Sequence, residues 1–175
     1  LSIGVAGVAG TMGTMIVHQI LETEKSRLAG GSVRPGSASE GIDIGDICRL
    51  GPLGMATTSD PLTLFGGADV VIDFTLPEAV VAHAQAAADT GTPWIVGTTG
   101  LDEAGQAAMA EAAKVVPVVF APNMSLGVNL LFVLVEQVAR ALDDDFDIEV
   151  FEIHHNRKID APSGTALGLG RAAAL

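Results

Sequence analysis

Ser2-Ile3-Gly4-Val5-Ala6 is a short apolar run, followed at once by Gly7-Val8-Ala9-Gly10-Thr11-Met12-Gly13 and then by Met15, Ile16, Ile20 and Leu21 at helical spacing. That order predicts a strand, a glycine turn and a helix. Small residues in such a turn let the backbone approach a pyrophosphate closely, and the helix N-terminus adds N–H donors and a favourable dipole. The form is G-x-x-G-x-x-G, with Ala9 where the commoner fingerprint has its second glycine. A glycine-rich turn can also serve tight strand–helix packing alone. Its place at the head of an alternating strand–helix pattern favours dinucleotide binding, through Gly7, Val8, Ala9, Gly10, Thr11, Met12 and Gly13.

Working outward, a second strand is expected over residues 27–33. Its carboxyl end normally carries the residue that meets the adenosine ribose, an acid for the 2′-OH of NAD or an arginine for the 2′-phosphate of NADP. Here Val33-Arg34 stands at that place, so NADPH is expected ahead of NADH, with Arg34 as the binding residue. Residues 35–60 mix Gly, Ser, Pro and acids without a period and read as a long loop with short ordered pieces. Residues 68–75 form a continuous apolar run, as a parallel strand buried on both faces requires. Asp73, at the carboxyl end of that strand, is either a helix cap or a site residue. Pro77 then opens a helix that Gly91 ends. The pattern recurs as a strand over 93–97, a Gly97-Thr98-Thr99 turn and a helix over 102–114, then a strand over 115–120 and a helix over 128–142. Trp94 reads as core. The whole is an α/β chain with a Rossmann-like parallel sheet over residues 1–125 and the beginning of an α+β domain over 126–175.

Composition narrows the function classes. The net charge of −12 argues against nucleic acid, since nothing basic is long enough to track a phosphate backbone. The single cysteine, Cys48, reads as a small buried hydrophobe and fits a reducing cytoplasm. Residues 1–21 lack Asp, Glu, Lys and Arg, yet the glycines, Thr11, Thr14, His18 and Gln19 disfavour a membrane span, and no basic n-region marks a signal peptide. The run Asp143-Asp144-Asp145 reads as a solvated junction, and no metal is expected. The chain lacks an initiator methionine, which suggests that it starts inside a longer gene product.

Against this acidic background, Glu152-Ile-His-His-Asn-Arg-Lys-Ile-Asp-Ala-Pro-Ser-Gly-Thr-Ala166 concentrates the reactive groups. His154, His155, Arg157 and Lys158 follow the apolar run 148–153, which is expected to be the strand that delivers them. Asp160 and Pro162 read as a turn, and Ser163-Gly164-Thr165 as the start of a helix whose backbone N–H groups can hold a carboxylate or phosphate. Cations beside a helix N-terminus make an anion site. A basic surface turn is the alternative for a few clustered cations.

This stretch resembles the signature of the 4-hydroxy-tetrahydrodipicolinate reductase (dihydrodipicolinate reductase) family, nicotinamide enzymes of diaminopimelate and lysine synthesis. Gly7-x-x-Gly10-x-Met12-Gly13 has the family's form, and Ala121-Pro122-Asn123-Met124-Ser125 with Gly127-Val128-Asn129 is similar to a further family motif. Val33 departs from the family, which often has an acid there. The resemblance implies NAD(P)H-dependent reduction of a cyclic dicarboxylate with loss of water by a homotetramer. It implies acid–base work by His154, with Lys158 as proton donor, and carboxylate binding by His155, Ser163, Gly164 and Thr165. It also places Gly97, Thr98 and Thr99 at the nicotinamide end of the cofactor, and Ala121, Pro122, Asn123 and Met124 among the cofactor-binding residues, with helix capping by Asn123 or Ser125 the structural alternative. Two other readings stay open. One is a different amino-acid-pathway dehydrogenase on the same nucleotide module; the other is a binding module without turnover.

Overall fold

β1 (Ser2–Ala6) alternates its side chains between two cores: Val5 packs with Val8, Val17, Ile20 and Leu28, whereas Ala6 packs with Phe65, Val71, Val80 and Trp94. Period-two alternation with apolar residues on both sides requires helices on both faces of the sheet. The computed structural model, which describes residues 1–121, 123–142, 145–154, 156 and 161–174, has that architecture. The chain divides into two compact units, Leu1–Phe120 and Ala121–Leu175.

In the first unit, β1, β2 (Arg27–Ser32), β3 (Val70–Asp73), β4 (Trp94–Val96) and β5 (Val118–Phe120) form a parallel sheet in the order β2-β1-β3-β4-β5. After α1 (Thr11–Glu22) the chain pairs β2 with one edge of β1; it then crosses back to lay β3 on the other edge. Strand order therefore reverses between β1 and β3. Such a switch point opens a crevice at the carboxyl ends of the two strands, where open α/β sheets bind ligands.

The expected elements form within a residue or two, with informative exceptions. Residues 115–117 do not join β5, because the N–H groups of Val115 and Val116 turn back to the Ala112 carbonyl at the end of α5 (Glu103–Ala112). Inside the long loop, Asp43 caps α2 (Ile44–Ile47) and accepts N–H bonds from Gly45, Leu53 and Met55, which close the segment on itself. An additional helix, α3 (Pro61–Gly66), follows the loop, with Asp60 as N-cap and Pro61 in its first turn. Pro77–Ala79 is a 3₁₀ turn leading into α4 (Val80–Thr90), which Gly91 closes at φ 69°. Trp94 and Cys48 are buried as expected.

In the second unit, α6 (Leu126–Ala141) packs against α7 (Gly164–Ala173), with Gly168 so close that a Cβ would lie 2.7 Å from the Phe132 ring. The strand expected over 148–153 is absent: these residues form no strand, and Phe151 and Ile153 are exposed. A β-strand exists only when a neighbour takes its N–H and C=O groups, and no such neighbour is present among the described residues. Among the described residues no helix is long and apolar enough to cross a membrane.

Candidate functional site

A cleft of about 880 Å³ opens at the switch point, lined by Gly7, Ala9 and Gly10 from the exit of β1, Arg34 from the exit of β2, and Phe74 and Thr75 from the exit of β3. Its glycine wall is fixed by backbone chemistry. Gly7 adopts φ 79°, the left-handed region, and the N–H groups of Gly7 and Val8 both donate to the Ser32 carbonyl at 3.0 Å, tying the turn to the end of β2. α1 then starts against the turn so closely that a Cβ on Gly13 would stand 2.2 Å from the Gly7 carbonyl oxygen and 2.7 Å from Val8 Cα. Gly10 is the N-cap and offers no side chain to the helix. By helix geometry the N–H groups of Thr11, Met12 and Gly13 lack an i−4 acceptor, and they sit at the positive end of the helix dipole.

The expected residues of this unit take different places. Gly7, Ala9, Gly10 and Arg34 line the cleft, and Thr11 and Met12 are exposed at the head of α1. Val8 is fully buried against Gly31 in the core, so its side chain serves packing. Gly97 follows β4 and donates its N–H to the Asp73 carbonyl at 2.8 Å, and a Cβ there would penetrate the Phe74 ring at 2.3 Å. Thr98 is buried and Thr99 exposed; all three lie on the same sheet edge without lining the cleft.

Asp73, left open between cap and site, is neither in the simple sense. Its carboxylate is fully buried and accepts from Thr75 N–H at 3.0 Å, Thr75 Oγ1 at 2.6 Å, His83 Nδ1 at 2.7 Å and Trp94 Nε1 at 3.1 Å, with Thr98 Oγ1 at 3.5 Å. Burial alone pushes this carboxyl up, but the hydrogen bond and charge of His83 and the donors of Thr75 outweigh it and hold Asp73 below the usual carboxylate range. One buried acid thus joins the exits of β3 and β4 to α4. His83, also buried, lines the cleft and was not singled out from the sequence. A histidine in an alanine-rich helix gives no local signal of its partner.

In the second unit, Asn123 links two helix starts. Its Oδ1 accepts from Ser125 N–H at 2.8 Å, and its Nδ2 donates to Thr165 Oγ1 at 3.0 Å. Ala121 is half-buried and Met124 exposed, while Pro122 lies outside the described residues. The start of α7 is occupied by the chain's own acid. Glu152 accepts the Ser163 N–H at 2.7 Å and the Ser163 hydroxyl, and its Oε2 lies 3.1 Å from His154 Nδ1. Ser163 Oγ in turn accepts from Ala166 N–H at 3.0 Å as the N-cap. Of the expected anion-binding group, Gly164 and Thr165 therefore keep the first-turn N–H groups, and Ser163 is bound internally. His155, Arg157, Lys158 and Asp160 lie outside the described residues.

Comparison with known proteins gives consistent results. The model of the dihydrodipicolinate reductase N-terminus matches residues 1–124, and that of the dihydrodipicolinate reductase C-terminus matches residues 127–174. The 4-hydroxy-tetrahydrodipicolinate reductase of Cupriavidus necator is 49% identical over 174 residues, which are 99% of this chain and 65% of that protein. The corresponding protein of Anaeromyxobacter dehalogenans strain 2CP-C is 51% identical over 170 residues, 97% of this chain and 63% of that protein. The dipicolinate-bound dihydrodipicolinate reductase from Paenisporosarcina sp. TG-14 superposes with a TM-score of 0.70 at 25% identity, over 99% of this chain and 65% of that one. An oxidoreductase from Agrobacterium radiobacter shares the fold at a TM-score of 0.51 and 20% identity, over 81% of this chain and 39% of that one. The chain thus spans just under two thirds of the length of the curated relatives it matches.

Proposed function

The chain belongs to the dihydrodipicolinate reductase family, and on that footing we propose that it carries the cofactor cleft and the acid–base segment of a 4-hydroxy-tetrahydrodipicolinate reductase. The substrate, a cyclic dicarboxylate, gains a hydride and a proton and loses its hydroxyl as water to give tetrahydrodipicolinate, in diaminopimelate and lysine synthesis. The observation that carries this reading is the cleft at the β1/β3 switch point, with glycine backbone on one wall and Arg34 on another. These groups fit a dinucleotide: a turn of glycines and a small alanine admits a pyrophosphate, and the guanidinium suits a 2′-phosphate in NADPH, with NADH the alternative. Gly7, Ala9 and Gly10 would let the backbone approach, and the N–H groups of Thr11, Met12 and Gly13 would meet the phosphates. Gly97, Thr98, Thr99, Ala121, Pro122, Asn123 and Met124 complete the proposed cofactor set. A bound reduced nicotinamide supplies the hydride.

Proton transfer falls to the second unit. His154, steadied at Nδ1 by Glu152, leaves Nε2 for acid–base work, and Lys158 is the proposed proton donor. His155 and the N–H groups of Gly164 and Thr165 would hold substrate carboxylates, with Ser163 setting the helix start that presents them. The proposed setting is a homotetramer in the cytoplasm.

The test is loss of NADPH absorbance on mixing the protein with freshly generated 4-hydroxy-tetrahydrodipicolinate, beside a Lys158→Ala control. Turnover in the parent and a large loss in the variant are expected. Undiminished turnover in the variant removes Lys158 from the mechanism, and cofactor binding without turnover in the parent supports a binding module instead.

A further inference from the structure

Asp73 has no part in the chemistry above, and it does not line the cleft. It is nonetheless a fully buried acid, set where the exits of β3 and β4 meet. Burying a charge is costly unless its lone pairs are used, and here the two oxygens serve different neighbours. Oδ2 is anchored in the core, accepting from His83 Nδ1 at 2.7 Å and from Trp94 Nε1 at 3.1 Å. Oδ1 serves the sheet edge: it accepts from the Thr75 N–H at 3.0 Å and the Thr75 hydroxyl at 2.6 Å, with Thr98 Oγ1 at 3.5 Å. The main-chain carbonyl of the same residue accepts from the Gly97 N–H at 2.8 Å.

A hydroxyl that gives its proton to a carboxylate is held in one rotamer, and Thr75 stands in the cleft wall. Its surroundings leave little room for an alternative. A Cβ on Gly7 would stand 3.0 Å from the Phe74 carbonyl oxygen and 3.1 Å from Thr75 Cγ2, and one on Gly97 would penetrate the Phe74 ring at 2.3 Å. The Phe74–Thr75 wall is thus gripped by the turns after β1 and β4 and tied to the core through one carboxylate.

Sheet order decides which half of a dinucleotide meets this wall. With the pyrophosphate at the glycine turn after β1 and the adenosine 2′-phosphate at Arg34 on the β2 side, the nicotinamide half must extend the other way, over the exits of β3 and β4. We infer that Asp73 is a positioning residue for the nicotinamide half of the cofactor, acting through Thr75. This rests on the cleft being the dinucleotide site. Placement matters to the reaction because hydride transfer needs the reacting atoms aligned, and a displacement of about 1 Å can cost about 100-fold in rate.

The experiment is a double-mutant cycle on binding, read by titration calorimetry in the unaltered protein, Thr75→Val, Asp73→Asn and the double variant. Two probes are compared: NADPH, and adenosine 2′,5′-bisphosphate, which carries the adenosine half without the nicotinamide. Thr75→Val keeps the side-chain shape and removes the hydroxyl. Each single substitution is expected to lower the preference for NADPH over the bisphosphate about fivefold, and the double variant no further, because both break the same link. Thr75→Ser, which keeps the hydroxyl, should restore the preference. A purely structural role would weaken both probes together and leave the preference standing. Should Asp73→Asn fold poorly, the Thr75 variants decide through the anisotropy of nicotinamide emission at saturating NADPH, which should fall in Thr75→Val and recover in Thr75→Ser. Additive losses in the cycle, a preference untouched by Thr75→Val or not restored by Thr75→Ser, or equal affinities for the two probes in the unaltered protein overturn the inference and leave the cleft reading intact. Failure of the unaltered protein to bind either probe removes both.

Discussion

Replacing Gly13 by alanine sets two effects against each other. In a helix interior alanine is better than glycine by about 1 kcal/mol. At this position the added Cβ would stand 2.2 Å from the Gly7 carbonyl oxygen and 2.7 Å from Val8 Cα, both backbone atoms of the turn. Overpacking against side chains costs about 1–3 kcal/mol; against backbone that cannot rotate away, the upper end applies. The expected net loss is about 2 kcal/mol, a fall in Tm of roughly 4–8 °C for a chain of this size. Because the obstacle is the turn itself, relief by moving Gly7 disturbs the cleft wall, and NADPH affinity should drop about tenfold. Gly10→Ala is the control: its Cβ would meet only the Gly7 oxygen, at 3.2 Å, and the cost should stay below about 1 kcal/mol. Thermal unfolding followed by circular dichroism, with NADPH titration of both variants, reads the comparison. A Gly13→Ala protein as stable as the parent and binding NADPH equally well would refute the close approach.

Arg34→Ala should weaken NADPH by about 10–100-fold and NADH little, since the charge-assisted bonds it removes exist only with a 2′-phosphate; parallel titrations check it. Asp73→Asn should cost about 3 kcal/mol near neutral pH by breaking a buried pair. Because Asp73 has its folded pKa depressed, its stabilisation is present above the unfolded carboxylate value and disappears as pH falls through the lower folded one. Urea unfolding from pH 6 to 3 should therefore show the gap between parent and variant narrowing on acidification; a constant gap would contradict the sign. Glu152→Gln should loosen the start of α7 by about 1–2 kcal/mol, seen as faster hydrogen exchange at the Ser163 amide that Glu152 holds.

The parallel sheet was readable because its strands are short apolar runs punctuated by glycine and proline, and because Gly7, Gly10 and Gly13 stand between the first of those runs and a helical pattern. Arg34 was expected at the exit of β2 on a register that the family resemblance supplied, and it lines the cleft. What escaped depends on partners distant in the chain. Residues 148–153 have strand composition, but composition does not supply the neighbouring strand. α3 escaped because its Asp60-Pro61 start sits at the end of a loop rich in the same residue types. His83 lies in an alanine-rich helix that gives no local signal of a partner; only the fold brings Asp73, ten residues earlier, to its Nδ1. Ser163 was rightly taken as a helix start, but that Glu152 would occupy its N–H depends on the path of the segment between them.

The most direct test is a crystal structure of the protein grown with NADPH. The pyrophosphate is expected against the Gly7–Gly13 turn, with the 2′-phosphate at Arg34. A dinucleotide bound elsewhere, or a cleft left empty at saturating NADPH, would contradict the assignment of this crevice as the cofactor site.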